Sequence, residues 1–500
     1  MTVSRRQMLT GGAAAGVGLT VAGVLPSLAT PAAAHEPDWS NRGEVGRPFP
    51  PLQDDPNGIL ALPEGFSYTI VTREGTTDLS FGQGKTPAYH DGTGVVSDRH
   101  NSLTIIQNHE MTPNMSAFGV PHIAGTVYDP GAVNAGGCTV IRTDNDGKAT
   151  AEWVGISGTV RNCAGGVTPW DTWLTCEETF INAGATWTAG GATGTYQKHH
   201  GYVFEVSQAE SGKQVPKPIK AFGRFDHEAV AVEPNLEHVY LSEDASGPNG
   251  LFYRWTAGGG PKLGPGLANF LADTAGKLEA MQIRLDDGSI LPDVAYLTSA
   301  QLGRPFNVTW IEVPDRDATT KTIRTQFADG TVTRGKKFEG VWSTKKGCYV
   351  VNSFAFGASD LPADATKHDG MVWFYDYSDQ TITLVSYFPH NPNFGESEGP
   401  FPKYPDLTFD GPDNVTVTPW GTLVLAEDGV RASHVLSSVP GGPTYAIARN
   451  QLSIGTSNGA PVYSEFTGPT FSPNGKILFV NIQVPGITLA ITGPWRDYLG

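Results

Sequence analysis

The chain repeats itself, and the repeat limits what it can fold into. Val167-Thr-Pro-Trp-Asp-Thr-Trp-Leu-Thr-Cys-Glu-Glu178 aligns without a gap on Val417-Thr-Pro-Trp-Gly-Thr-Leu-Val-Leu-Ala-Glu-Asp428. A third copy, from Val232 to Asp244, needs one extra residue, and a fourth, from Phe471 to Gln483, ends in Asn481 and Gln483 where the others have acids. Fainter copies run from Val96 to Glu110 and from Trp342 to Asn352. Each unit reads as strand, polar turn, strand. A single unit cannot bury its apolar faces, and radial stacking of such short sheets protects their edges.

The fold class follows from this pattern and from the punctuation between the units. Glycine (61) and proline (37) are abundant, and the apolar runs last only roughly five to seven residues, the length of strands. The expectation is an all-β, six-bladed β-propeller with an inserted segment between blades at about residues 256–335. Within that segment, Ala268 to Leu285 is the best helical pattern. Residues 59–72 are expected to complete the final blade and close the circle.

Ser4-Arg5-Arg6-Gln7-Met8-Leu9 is a twin-arginine signature, and the small apolar run after it ends in Ala32-Ala33-Ala34. Residues 1–34 therefore read as a cleaved export signal, and 35–500 as a single propeller domain. The twin-arginine export machinery is thus an expected partner, and the mature chain is expected to be secreted or periplasmic, with no stable membrane insertion. Cleavage removes Arg5 and Arg6 and takes the formal charge from -16 to -18. Nucleic acid and anionic membrane surfaces need clustered cations, so neither is an expected ligand. A closed propeller needs no second chain to cover its edges, which favours a monomer. The four cysteines, Cys138, Cys163, Cys176 and Cys348, contain no CxxC pair, which excludes a zinc ribbon. An oxidising compartment would permit disulfides among them.

Counting back six residues from the turn proline of each clear unit gives Cys163, Glu228, Asp413 and Thr467. With a slip of one residue, the fainter units give Asp91 and Glu339. A cysteine thus stands where most sister units carry a carboxylate. In a hairpin the start of the first strand and the end of the second share an edge. These residues should therefore meet the strand-end acids Glu177, Glu178, Glu243, Asp244, Glu427 and Asp428, together with Glu110, at one mouth of the ring. So much negative charge in one place calls for bound cations. Many carboxylates suit calcium, and a thiolate beside them suits a transition metal. An isolated cysteine also fits a core position, but its equivalence to carboxylates favours a ligand. The tryptophans after Pro169 and Pro419 read as blade packing, and His109, His199, His200 and His227 as structural or supporting groups.

Read together, Asn108-His-Glu110, Arg161-Asn-Cys-Ala-Gly-Gly166, Thr175-Cys-Glu-Glu178, Arg224-Phe-Asp-His-Glu-Ala229, Ser242-Glu-Asp-Ala245, Phe338-Glu-Gly340, Pro412-Asp-Asn414 and Ala426-Glu-Asp428 resemble the PhoX-type alkaline phosphatase family. The resemblance implies a six-bladed propeller that carries Fe3+ and Ca2+ and hydrolyses small-molecule phosphomonoesters outside the cytoplasm. It implies Cys163, Glu228 and Glu339 as iron ligands, and Glu110, Glu178, Glu243, Asp244, Asp413, Glu427 and Asp428 as calcium ligands. Arg161 and Lys337 would hold the phosphoryl oxygens. Lys337 departs from the family, which often has arginine at this place. Two other readings of the same architecture are a calcium-dependent lactonase or esterase, which has no need of a thiolate, and a non-catalytic calcium-binding propeller.

Overall fold

Each of the repeated units becomes an antiparallel hairpin, because its apolar runs are too short for anything but strands and its polar turn brings them back together. The computed structural model describes residues 47–500, apart from 100–101, 211, 260–262, 356–368, 390–408, 410, 429–431 and 458–459. The expected export signal lies outside these residues. The first strands of the units are His90–Arg99, Asn162–Val167, His227–Val232, Phe338–Ser343, Pro412–Val417 and Phe466–Phe471. Each pairs with the strand that follows it in the chain. Each also packs against the first strand of the next unit, and Phe466–Phe471 packs back on His90–Arg99. The result is an all-β, propeller-like ring whose inner wall consists of these first strands.

Of residues 59–72, expected to complete the final blade, only the second half does so. Ser67–Arg73 pairs with Ile487–Thr492 at the outside of the last sheet, while Leu60–Pro63 joins the preceding sheet beside Thr444–Asn450. Both proline-following tryptophans pack as expected. Trp170 lies against the core built on Leu174, Val230 and Leu241, and Trp420 meets Phe471 edge to face.

The inserted segment differs from its expected form. Among its described residues the α-helix is confined to Leu267–Phe270, and Lys277–Arg284 is a strand. Gly276, at a φ of 63°, breaks any helical continuation. The following Leu278, Ala280, Met281 and Ile283 are buried in a sheet. That strand pairs with Pro305–Glu312, which in turn pairs with Thr381–Phe388. The insertion thus fuses two neighbouring sheets into one rather than standing aside from them. Among the described residues no helix is long and apolar enough to cross a membrane, and no disulfide joins the four buried cysteines.

Candidate metal centre

The inner strands lose register at one recurring place. The ladder breaks between His90 and Thr93, Asn162 and Gly165, His227 and Val230, Phe338 and Val341, and Pro412 and Val415. The first residues lifted out of the ladder are Asp91, Cys163, Glu228, Glu339 and Asp413. A bulge of this kind re-aims a side chain that regular pairing would hold in the pleat. Two residues ahead of four of these bulges the backbone turns left-handed, at Tyr89 (φ 50°), Arg161 (52°), Lys337 (64°) and Gly411 (60°). Such conformations are costly for residues other than glycine and gather where function requires them. In the last unit the break falls one residue later, between Thr467 and Thr470.

The bulges bring the expected residues together. Ligand-type atoms lie within 4.8 Å of one another in Asp91, Glu110 and Cys163, then in Cys163, Glu178 and Glu228. The same holds for Glu228, Glu339 and Asp413, and for Asp413, Asp428 and Glu465. Because neighbouring groups share Cys163, Glu228 and Asp413, the donors form one continuous arc. The Cys163 thiol lies 3.3 Å from Glu228 Oε1 and 3.9 Å from Asp91 Oδ1. Gln483, which takes the strand-end place that other units give to an acid, donates to Asp91 Oδ2 at 2.9 Å and to Glu110 Oε2 at 3.0 Å. Asn108 Nδ2 holds the bulge itself by donating to the carbonyls of Cys163 and Ala164. Beneath the arc, Gly92, Ala164, Ala229, Gly340, Asn414 and Gly468 line a cavity of about 20 Å³, room for about one water.

Two cations reach into the arc from the left-handed positions. Arg161 Nη2 lies 3.0 Å from Glu110 Oε1 and 2.8 Å from Glu178 Oε2. Lys337 Nζ lies 2.9 Å from Asp244 Oδ2 and 3.3 Å from Glu339 Oε1.

Among the described residues, Glu243 and Glu427 belong to none of the ligand groups. Successive residues of a strand point to opposite faces, so one acid of each strand-end pair serves its own sheet. Glu243 accepts from Leu251 N and the Tyr253 hydroxyl and pairs with Arg324 at 2.8 Å. Burial raises its pKa, and Arg324 opposes the shift. Glu427 accepts from the backbone N and from Nδ1 of His434. Their counterpart Glu177 accepts from Val160 N and Gly201 N and lies 2.6 Å from His200 Nδ1. Burial would lower the His200 pKa, but Glu177 and Asp129 together lift it to about 9. Asp244 belongs to none of the ligand groups among the described residues and faces Lys337 instead.

Glu465 is the member of the arc that counting back from prolines misses, because Thr467 occupies the counted place. The available signal was its offset, two residues ahead of Thr467, as Arg161 is ahead of Cys163. The donor set fits cations. Glu339 Oε2 is buried and has no hydrogen-bond partner among the described residues, an arrangement that costs about 1–3 kcal/mol unless something else satisfies the oxygen. The thiol end of the arc suits a transition metal, and the end formed by Asp413, Asp428 and Glu465 offers only the oxygen donors that a hard cation prefers.

The family model for alkaline phosphatase PhoX matches residues 47–151 and 134–486. Among solved structures, Pseudomonas fluorescens PhoX in complex with vanadate, a transition state analogue, is similar with a TM-score of 0.60 at 18% identity, over 90% of this chain and 97% of that one. At that identity the likeness speaks for the fold. A gluconolactonase from Xanthomonas campestris aligns over 82% of this chain and 97% of its own, at 12% identity and a TM-score of 0.27, too distant to bear on activity. No curated protein matches the sequence. The family match runs through the bulged strands and the acidic arc alike, and the chain belongs to the PhoX alkaline phosphatase family of phosphoric monoester hydrolases.

Proposed function

We propose that this protein is an exported, monomeric six-bladed propeller that hydrolyses phosphomonoesters at the mouth of its ring and releases inorganic phosphate, with Fe3+ and Ca2+ held by the acidic arc. The observation that carries the reading is the arc itself, in which one thiol and a run of mostly buried carboxylates form groups that share members. In this reading Cys163, Glu228 and Glu339 hold iron. Glu110, Glu178, Asp413 and Asp428 hold calcium, joined by Asp91 and Glu465, which lie in the same arc.

Phosphoryl transfer demands charge neutralisation and alignment more than covalent help. Cations bound in the arc would supply Lewis acidity, drawing charge from the phosphoryl oxygens and from the attacking water. The chain's own residues do the rest. Arg161 offers a planar fork that suits two phosphoryl oxygens at once, and Lys337 adds a point charge from the other side. Their carboxylate contacts hold both side chains over the mouth before substrate arrives, which lowers the entropic cost of binding. Burial of Cys163 and Glu228 keeps bulk water from the donors.

The test is elemental analysis of protein purified after native export, followed by a phosphoester screen. Iron with calcium, and turnover of a simple phosphomonoester, is the expected result. Calcium without iron, with no turnover, would return the chain to the lactonase or binding-module readings, both of which leave the placement of Cys163 without a purpose.

A further inference from the structure

The third repeat unit carries an acid where two others carry a base. Two residues ahead of the bulged residue stand Arg161 in the Cys163 unit and Lys337 in the Glu339 unit, but Asp226 in the Glu228 unit. Asp226 forms an isolated β-bridge with Glu178, and its carboxyl group feels the charges of both Glu178 and Arg161, which pair with each other. Left alone, a carboxylate there would repel a phosphate dianion approaching Arg161.

The cation that this unit lacks comes from the inserted segment. The turn Ile323–Gln326 carries Arg324, whose Nη1 lies 2.6 Å from Asp226 Oδ2 and 2.8 Å from Glu243 Oε1. The turn is fastened in place by Arg334, which donates from Nη2 to the carbonyl of Arg324 and from Nη1 to that of Asn249. A single guanidinium thus pairs with both Asp226 and the strand-end acid Glu243, offsetting one of their two negative charges. Its side chain is only 16% exposed, which strengthens the pairing by excluding water.

We propose that Arg324 is a positioning residue for the phosphoester: by holding Asp226 and Glu243 and offsetting part of their negative charge, it makes the potential beside Arg161 less negative, as Lys337 does for Asp244 and Glu339 on the other side of the arc. The inference rests on the phosphatase reading above. Arg324 acts on substrate through Asp226, and its loss changes binding more than turnover.

The experiment uses the exported, metal-loaded enzyme, with p-nitrophenyl phosphate as substrate and inorganic phosphate as competitive inhibitor. Arg324→Gln is expected to raise KM and the phosphate inhibition constant about tenfold, with a smaller change in kcat. Arg324→Lys, which keeps the charge, is expected to stay within about threefold of wild type. The decisive variant adds Asp226→Asn to Arg324→Gln, removing the stranded charge, and is expected to recover most of the lost phosphate affinity. A merely structural arginine would not be rescued by a second lost contact. Should Arg324→Gln fail to fold, Asp226→Asn alone serves, with phosphate inhibition expected to be equal or tighter. An inhibition constant unchanged in Arg324→Gln, no recovery in the double variant, or weaker inhibition in Asp226→Asn alone would overturn the proposal. Wild-type enzyme that neither turns over p-nitrophenyl phosphate nor binds phosphate would instead overturn the phosphatase reading, and this inference with it.

Discussion

The Cys163 thiol lies 3.3 Å from Glu228 Oε1, and each residue is the first one lifted out of the ladder of its own inner strand. A soft donor and a hard donor are thus presented side by side by the same backbone device. Cys163→Ser keeps the size but replaces the soft donor, so iron content should fall to near background and kcat/KM by about a hundredfold or more. Elemental analysis paired with phosphoester kinetics checks this. Full iron content in the serine variant would remove Cys163 from the ligand set.

Lys337 adopts a left-handed backbone at a φ of 64° and pairs with both Asp244 and Glu339. Arginine can take the same conformation at similar cost and adds a second donor edge. Lys337→Arg should therefore lower KM for a phosphomonoester by about threefold or more, whereas Lys337→Ala should raise it by about tenfold. Steady-state kinetics decide between a phosphate contact and a purely structural lysine, for which both changes would leave KM unmoved.

Much of this site was legible because the repeat carries it. Counting from the turn prolines reached Cys163, Glu228 and Asp413 directly, and the equivalent count in the two units that lack the proline reached Asp91 and Glu339 with a slip of one residue. The slip is harmless because the bulge, rather than the proline, sets which residue leaves the ladder. Sequence could not say which acid of Glu243 and Asp244, or of Glu427 and Asp428, faces the ring, since that depends on strand pleat and on partners such as Tyr253 and His434 that lie on the next strand. The helical pattern of Ala268 to Leu285 misled for a related reason: its apolar residues are buried by a sheet edge that only the tertiary fold provides.

Glu465 shares its ligand group with Asp413 and Asp428, and that group contains no sulfur. Removing one carboxylate charge should weaken a hard cation there and leave the thiol end of the arc intact. Glu465→Gln is expected to weaken calcium binding by about tenfold or more while iron content holds. Calcium titration of the chelator-treated enzyme, with iron counted in parallel, provides the check. Loss of iron along with calcium would mean the arc cannot be divided in this way.

His200 is fully buried between Glu177 and Asp129, which lift its pKa to about 9 from an ordinary 6.5. A raised folded-state pKa contributes stability that is fully present below about pH 6.5 and is lost as pH rises through about 9. His200→Gln should therefore cost most at pH 6, up to about 3 kcal/mol from the ionisation alone, and progressively less toward pH 10. Urea unfolding of both proteins across that range measures the difference. A cost that is flat with pH would mean His200 is neutral in the folded protein.

Gly340 follows Glu339 in the bulge, and a Cβ there would lie 2.8 Å from Val415 N and 2.9 Å from the carbonyl of Asp413. Both contacts are backbone atoms of the next inner strand, so no side chain can swing away to make room. Gly340→Ala should push Glu339 and Asp413 apart, costing about 1–3 kcal/mol of stability. It should also lower turnover, because the two residues share a ligand group. Gly264→Ala is the matched control, since its Cβ would meet nothing within 4 Å, and it should change stability by less than about 0.5 kcal/mol. Thermal unfolding and phosphoester turnover of the two variants test the claim that close backbone approach sets the ligand spacing. If Gly340→Ala unfolds like the control and keeps full activity, the inner strands have slack there and something else fixes the arc.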